Sequence, residues 1–249
     1  PNTVFVNNYG GGVFKTEDGG KTWLDWSNGY SGANILGLSV SRSGCLAANG
    51  RSQMHLSGDF GETWQGILYG KSYGLGDGLA IKFLSHDDSN QTIIATDANS
   101  GDLYYSNNLG KDWESATGLI DIEHSLFEES FGIHIVEEAT SNPMVLYAGY
   151  IQSKIKGQDP HQLDEIEQSP GMYKSIDGGM SWFPINNGLP DKDYSRNISD
   201  IAVSKQNENI VYINSLFDGL YYTVDGGESW NHLKGELPAG LSWDDCGHT

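Results

Sequence analysis

Carboxylates dominate the chemistry open to this sequence. Its 249 residues hold 33 Asp and Glu against 14 Lys and Arg, a formal charge of −19. Two such groups several ångströms apart are sufficient for acid–base cleavage of a glycosidic bond, and aromatic side chains beside them suit a sugar cleft. Asp77 in "GLGDG" and Asp97 in "ATDANSGD" stand out, because the glycines around them leave room for a ligand. Other chemistries lack their signatures: there is no His-Glu-x-x-His, phosphate loop or nucleophile elbow. Asp244, Asp245, Cys246 and His248 are metal-capable but match no ligand spacing. No metal and no cofactor is therefore expected. Phosphate backbones and anionic membranes need clustered Lys and Arg, and no apolar run approaches the roughly 18 residues of a bilayer span. Nucleic acid and a membrane span in this segment are excluded on those grounds.

A second set of carboxylates is set apart by repetition. Octets related to "SIDGGMSW" begin at Thr16, Ser57, Ser106, Ser175 and Thr223, at spacings of 41, 49, 69 and 48 residues. A repeat of that length holds four strands and their turns. Strand-like runs such as "GVFKT", "GMYKS" and "GLYYT" precede the octets, and further runs begin at the Trp. Each octet thus reads as a hairpin in which Gly20, Gly61, Gly110, Gly179 and Gly227 supply positive φ. The third residues, Asp18, Asp59, Asn108, Asp177 and Asp225, accept bonds from turn amides. Trp23, Trp64, Trp113, Trp182 and Trp230 are left to pack, buried, between neighbouring units. On this reading the octet residues are structural.

The pattern Ser/Thr-x-Asp-x-Gly-x-Thr/Ser-Trp resembles the Asp-box of bacterial-neuraminidase-type (BNR) repeats, with departures at Asn108 and Asp112. Sialidases, xyloglucan-cleaving glycoside hydrolases, sortilin-type receptors and a photosystem II assembly factor share it. The resemblance implies an all-β fold, a β-propeller of four-stranded antiparallel blades. The blades fall near residues 1–27, 34–68, 78–118, 131–187 and 197–235. The first has no innermost strand. Either a small closed ring borrows one from the tail, where Leu241 to Trp243 is a candidate, or the chain is an arc of a larger propeller. The match of "GELP" to "NGLP", and ends that look like cuts, favour the arc.

The family fold further implies that the octet hairpins occupy one end of the propeller and a functional mouth the other. That mouth would gather Tyr30, Tyr73, Asp77, Asp97, Phe217 and Asp218 as ligand-binding residues. It would also carry the excess of the 69-residue spacing, residues 152–170, as a polar arm reaching a neighbouring subunit, domain or ligand. Sialidase relatives clamp a carboxylate with three arginines. Here only Arg42, Arg51 and Arg196 exist, and Arg42 falls in a turn on the wrong end, so sialidase activity is not expected. The two cysteines, Cys45 and Cys246, leave room for one bridge, with Cys45 as a small buried strand residue the alternative. The expected function is recognition or assembly by an extracellular or cell-surface protein, with a protein partner or neighbouring subunit and possibly polysaccharide as ligands. The alternative is part of a secreted glycoside hydrolase acting on β-glucan, with Asp77 and Asp97 as its carboxylates.

Overall fold

A computed structural model describes residues 2–8, 12–28, 35–50, 54–67, 81–85, 92–96, 102–119, 132–151, 170–190, 196–216 and 218–233. These form five antiparallel sheets with no α-helix among the described residues. The first sheet holds β1 (Val4–Asn8), β2 (Gly12–Thr16) and β3 (Leu24–Asp25). The second holds β4 (Ile35–Val40), β5 (Leu46–Gly50), β6 (Met54–Ser57) and β7 (Gln65–Ile67), and the third β8 (Ile81–Phe83), β9 (Ile93–Thr96), β10 (Leu103–Ser106) and β11 (Glu114–Ser115). In the fourth are β12 (Gly132–Glu138), β13 (Leu146–Ile151), β14 (Met172–Ser175) and β15 (Phe183–Pro184); in the fifth, β16 (Ile198–Val203), β17 (Val211–Ser215), β18 (Gly219–Thr223) and β19 (Asn231–His232). Strands follow chain order across every sheet.

One sheet cannot bury an apolar face alone, and the apolar clusters are accordingly shared between consecutive sheets. Tyr147, Met172 and Ile185 of the fourth sheet pack with Ile201, Ile213 and Trp230 of the fifth. Leu84, Ile94 and Leu103 of the third meet Ile133, Leu146 and Trp182 of the fourth. Two further clusters join the second sheet to the third and the first to the second. The core therefore lies between sheets, and each sheet depends on its neighbours, as stacked repeats do.

The inner edges of the sheets carry unpaired backbone groups, which neighbours satisfy through side chains. Phe83 N–H donates to Ser39 Oγ across 2.9 Å and Ser85 N–H to Glu138 across 2.7 Å. Lys82 Nζ reaches Glu137 at 2.6 Å, joining β8 to β12. Irregularities recur at one place in the inner strands, between Ile35 and Gly37, Ile133 and Ile135, and Ile198 and Asp200. Bulges of this kind sharpen twist.

Candidate functional site

Each octet closes a hairpin between the last two strands of its sheet. In the fourth, Ser175 Oγ donates to Asp177 Oδ1 at 2.8 Å and accepts Gly179 N–H at 2.9 Å. The Asp177 carboxylate also accepts Ser181 N–H at 3.0 Å and the Ser181 hydroxyl at 2.5 Å. The same bonds recur about Asp18, Asp59 and Asp225. Bonds to the ionised form lower a carboxyl pKa. The Thr22 hydroxyl and amide, with Thr16, hold Asp18 at about 2, and Thr63 and Ser57 do the same for Asp59. Asp225 is lowered by Ser229 and Thr223. At Asp177 burial pushes upward, and the bonds from Ser181 and Ser175 outweigh it.

The third octet exchanges the roles. Asn108 Nδ2 donates to the Asp112 carboxylate at 3.0 Å, where the others have a hydroxyl donating to aspartate. Asn108 Oδ1 still accepts Ser106 Oγ and Asp112 N–H, both at 3.0 Å. The two departures from the pattern compensate one another. Positions four and five are left-handed in all five octets, and position four is not always glycine: Phe60 and Leu109 sit there at φ 58°.

The octet Trp binds the preceding sheet. Trp64, Trp182 and Trp230 donate their backbone N–H to the carbonyls of Asn28, Thr117 and Asn187 at 2.9 Å each. The indoles of Trp64 and Trp230 each donate at 2.6 Å, to Trp26 and Ile185 respectively. At Gly188 the two sheets approach so closely that a Cβ would stand 2.3 Å from the Trp230 carbonyl oxygen. Burial follows: Trp64, Trp182 and Trp230 are 3–6% exposed and Trp113 is half-buried. Trp23 departs from the expectation at 41% exposed, because among the described residues no preceding sheet stands against it.

The two ends of the sheets are chemically distinct. The turns joining the first and second strands lie with the octets, since Gly178 N–H donates to Met144 O and Gly226 N–H to Asn209 O, both at 2.9 Å. Arg42 is in such a turn, exposed and at the octet end. Cys45 is there too, half-buried with a free thiol; it precedes β5, which corrects its placement on a buried strand. At the opposite end, the connections between second and third strands meet the exits of the fourth. Asn186 clamps them, accepting Met172 N–H at 2.7 Å and donating to Pro170 O at 2.8 Å. Arg196 donates to Pro190 O at 2.6 Å.

Acid–phenol pairs mark this second end. Asp218 accepts the Tyr221 hydroxyl. Tyr221 stacks on His232 with centroids 4.7 Å apart and 20° between planes. Burial first, then the bond to Asp218, raises the Tyr221 pKa. Asp102 accepts the Tyr104 hydroxyl at 3.3 Å. Nearby, Tyr150 and Tyr173 lie 5.5 Å apart between centroids.

Solved structures of the same architecture decide the fold. The chain is a β-propeller. It superposes on an ancestral GH74 enzyme with a TM-score of 0.70 and 18% identity, over 95% of this chain and 30% of that one. The GH74 xyloglucanase from Xanthomonas campestris gives 0.66 and 14%, over 92% and 37%. YCF48 from Cyanidioschyzon merolae gives 0.58 and 18%, over 93% and 67%. This propeller thus spans only 30% and 37% of the two GH74 enzymes. No family model and no curated protein sequence matches the chain.

Of the residues expected at the propeller mouth, Asp218 is among those described, at the turn between β17 and β18 and bonded to Tyr221. Tyr30, Tyr73, Asp77, Asp97 and Phe217 lie outside the described residues, as do Arg51, Cys246 and residues 152–169. Sequence reasoning did not foresee the bonds that Asn186, Arg196 and Asp102 make. Asn186 acts on partners 14 and 16 residues away, so no local pattern signals its role.

Proposed function

We propose that the chain is an Asp-box (BNR) propeller, of the kind found in sortilin-type and xyloglucanase-type proteins, acting as a non-catalytic recognition or assembly module. It works outside the cell or at its surface and binds a protein partner or a polysaccharide through the mouth formed by Tyr30, Tyr73, Asp77, Asp97, Phe217 and Asp218. The observation that carries this reading is that the octet aspartates at one end and Asp102 and Asp218 at the other are engaged by the fold. Octet carboxylates hold their own hairpins, and Asp102 and Asp218 accept hydroxyls from tyrosines of their own blades. Rims of tyrosine and acid suit recognition, since tyrosine offers apolar area with a polar tip.

The likeness to GH74 enzymes favours a second reading, part of a secreted glycoside hydrolase acting on β-glucan-like polysaccharide. Titration with xyloglucan and mixed-linkage glucan oligosaccharides, alongside a reducing-end assay, separates the two. Binding that weakens in Tyr73→Ala and Asp97→Asn without release of reducing ends is the expected result. Turnover abolished by Asp77→Asn or Asp97→Asn overturns it in favour of the hydrolase.

A further inference from the structure

The octet end of the fourth sheet has a different surface from its counterparts on the same backbone frame. In every sheet the second and sixth octet positions are exposed. They hold Glu17 and Lys21, Gly58 and Glu62, and Asn107 and Lys111 in the first three sheets, but Ile176 and Met180, 61% and 45% exposed, in the fourth. A third position follows suit. The carbonyl that accepts the amide of octet position four belongs to Asn2 in the first sheet and Asn209 in the fifth, and to Met144, 38% exposed, in the fourth. That bond, from Gly178 N–H at 2.9 Å, ties the turn carrying Met144 to the hairpin carrying Ile176 and Met180, so the three form one surface. The fifth sheet shares the feature in part, with Val224 exposed at position two and Glu228 at six.

Carboxylates rim this surface. On the fifth-sheet side Glu208, Glu228 and Asp225 act on Lys174, whose ammonium is turned inward to the Gly226 carbonyl at 3.0 Å and the Tyr147 ring. On the third-sheet side Asp177 acts on Tyr105, which donates to Glu114 at 2.7 Å. A sheet stacked on another covers its face and leaves the octet end open. The rest of the chain is unsuited to such a rim. Outside the described residues, 86–91, 97–101, 120–131, 152–169, 191–195 and 234–249 are each net acidic, and 9–11, 29–34 and 68–80 are neutral. Only 51–53 is basic, through Arg51, and it joins β5 to β6 at the opposite end.

We infer that Ile176, Met180 and Met144 seat a basic protein segment that carries large apolar side chains among its Lys or Arg residues. Contiguous exposed apolar side chains mark interaction sites, and methionine adapts its shape to a partner. The carboxylate rim selects the sign of the partner's charge. A second copy of this chain, at −19, or an anionic membrane surface is repelled by it. The surface lies opposite the mouth and takes a partner whether or not the mouth does.

The four methionines supply the test. Met54 and Met172 are fully buried while Met144 and Met180 are exposed, so methyl-¹³C methionine spectra hold two reporters and two internal controls. Titration with a short peptide of Leu and Lys should shift Met144 and Met180 and leave Met54 and Met172 in place. By fluorescence anisotropy, Ile176→Ser combined with Met180→Ser should weaken that binding at least about tenfold. Its circular dichroism should be unchanged, because exposed sites tolerate substitution. A peptide with Ser for Leu, or with Glu for Lys, should bind at least about tenfold more weakly than the first. Absent shifts at Met144 and Met180, or equal shifts from the Ser-for-Leu peptide, overturn the proposal. So do the same shifts on raising the concentration of the chain itself, which would make a second copy the occupant, or on adding phosphatidylserine vesicles, which would make it a membrane.

Discussion

The octets of the first and fifth sheets share their inner wiring and differ in their surroundings. Asp18 and Asp225 accept the same hydroxyls and amides at nearly the same distances. Yet Trp230 is 4% exposed and Trp23 41%. The hydrogen-bonded turn is thus a local property of eight residues, complete without help, whereas the Trp becomes a fastener only when another sheet supplies carbonyls and apolar cover. One motif carries two separable energies, and substitutions can separate them.

The largest effect belongs to the inter-sheet part. Trp230→Ala removes a buried indole with its bond to Ile185 and should cost about 3–5 kcal/mol, while Trp23→Ala in dilute solution should stay within about 0.5 kcal/mol. Urea denaturation ranks them, and similar losses would break the comparison.

The local part is smaller. Asp177→Ala withdraws an acceptor from turn amides and hydroxyls and should cost about 1–3 kcal/mol. The third octet suggests a repair: Asp177→Asn combined with Ser181→Asp recreates the exchanged bridge of Asn108 and Asp112. The double variant should be more stable than Asp177→Asn alone, and a double-mutant cycle without coupling would show that the exchange is incidental.

Acid probes the same bonds. Asp18 and Asp59 fall from an ordinary 3.8 to about 2 in the folded chain. A depressed folded pKa gives stability that is present above the unfolded value and lost as pH falls through the folded one. Urea midpoints should therefore hold steady down to about pH 4 and decline toward about pH 2. A midpoint that rises over that interval contradicts the wiring.

What could be read from the sequence divides along the same line. The hairpins, their left-handed glycines and the strand order depend on neighbours a few residues apart, and their pattern repeats five times. The exposure of Trp23 was illegible because it depends on which sheet stands beside it. Asn186 was illegible for a related reason: its partners, Met172 and Pro170, come together only once two sheet ends meet. In the sequence Asn108 and Asp112 are two separate departures from the motif, and only their mutual bond at 3.0 Å shows them as a matched pair. At the mouth, Asp218 was legible as an acid beside aromatics, though its partner proved to be Tyr221 of its own sheet.

The smallest effects sharpen the comparison most, because they concern one backbone position in two surroundings. Phe60 and Leu109 hold φ 58° where three octets have glycine. Left-handed φ costs a non-glycine residue about 1–2 kcal/mol, so glycine relieves strain at both. It also loses packing and frees the unfolded chain, the latter worth about 0.4–1 kcal/mol. Phe60 covers Gly44 within its own sheet and is 54% exposed, so its lost contact is about 1 kcal/mol and Phe60→Gly should come out near zero. Leu109 is half-buried against the cluster joining the second and third sheets, with Cys45 and Trp113. Leu109→Gly should therefore be the more costly of the two, by about 1 kcal/mol. Thermal melts of both variants give the order, and a reversed order would place the fastening energy of this position within the hairpin and not between sheets.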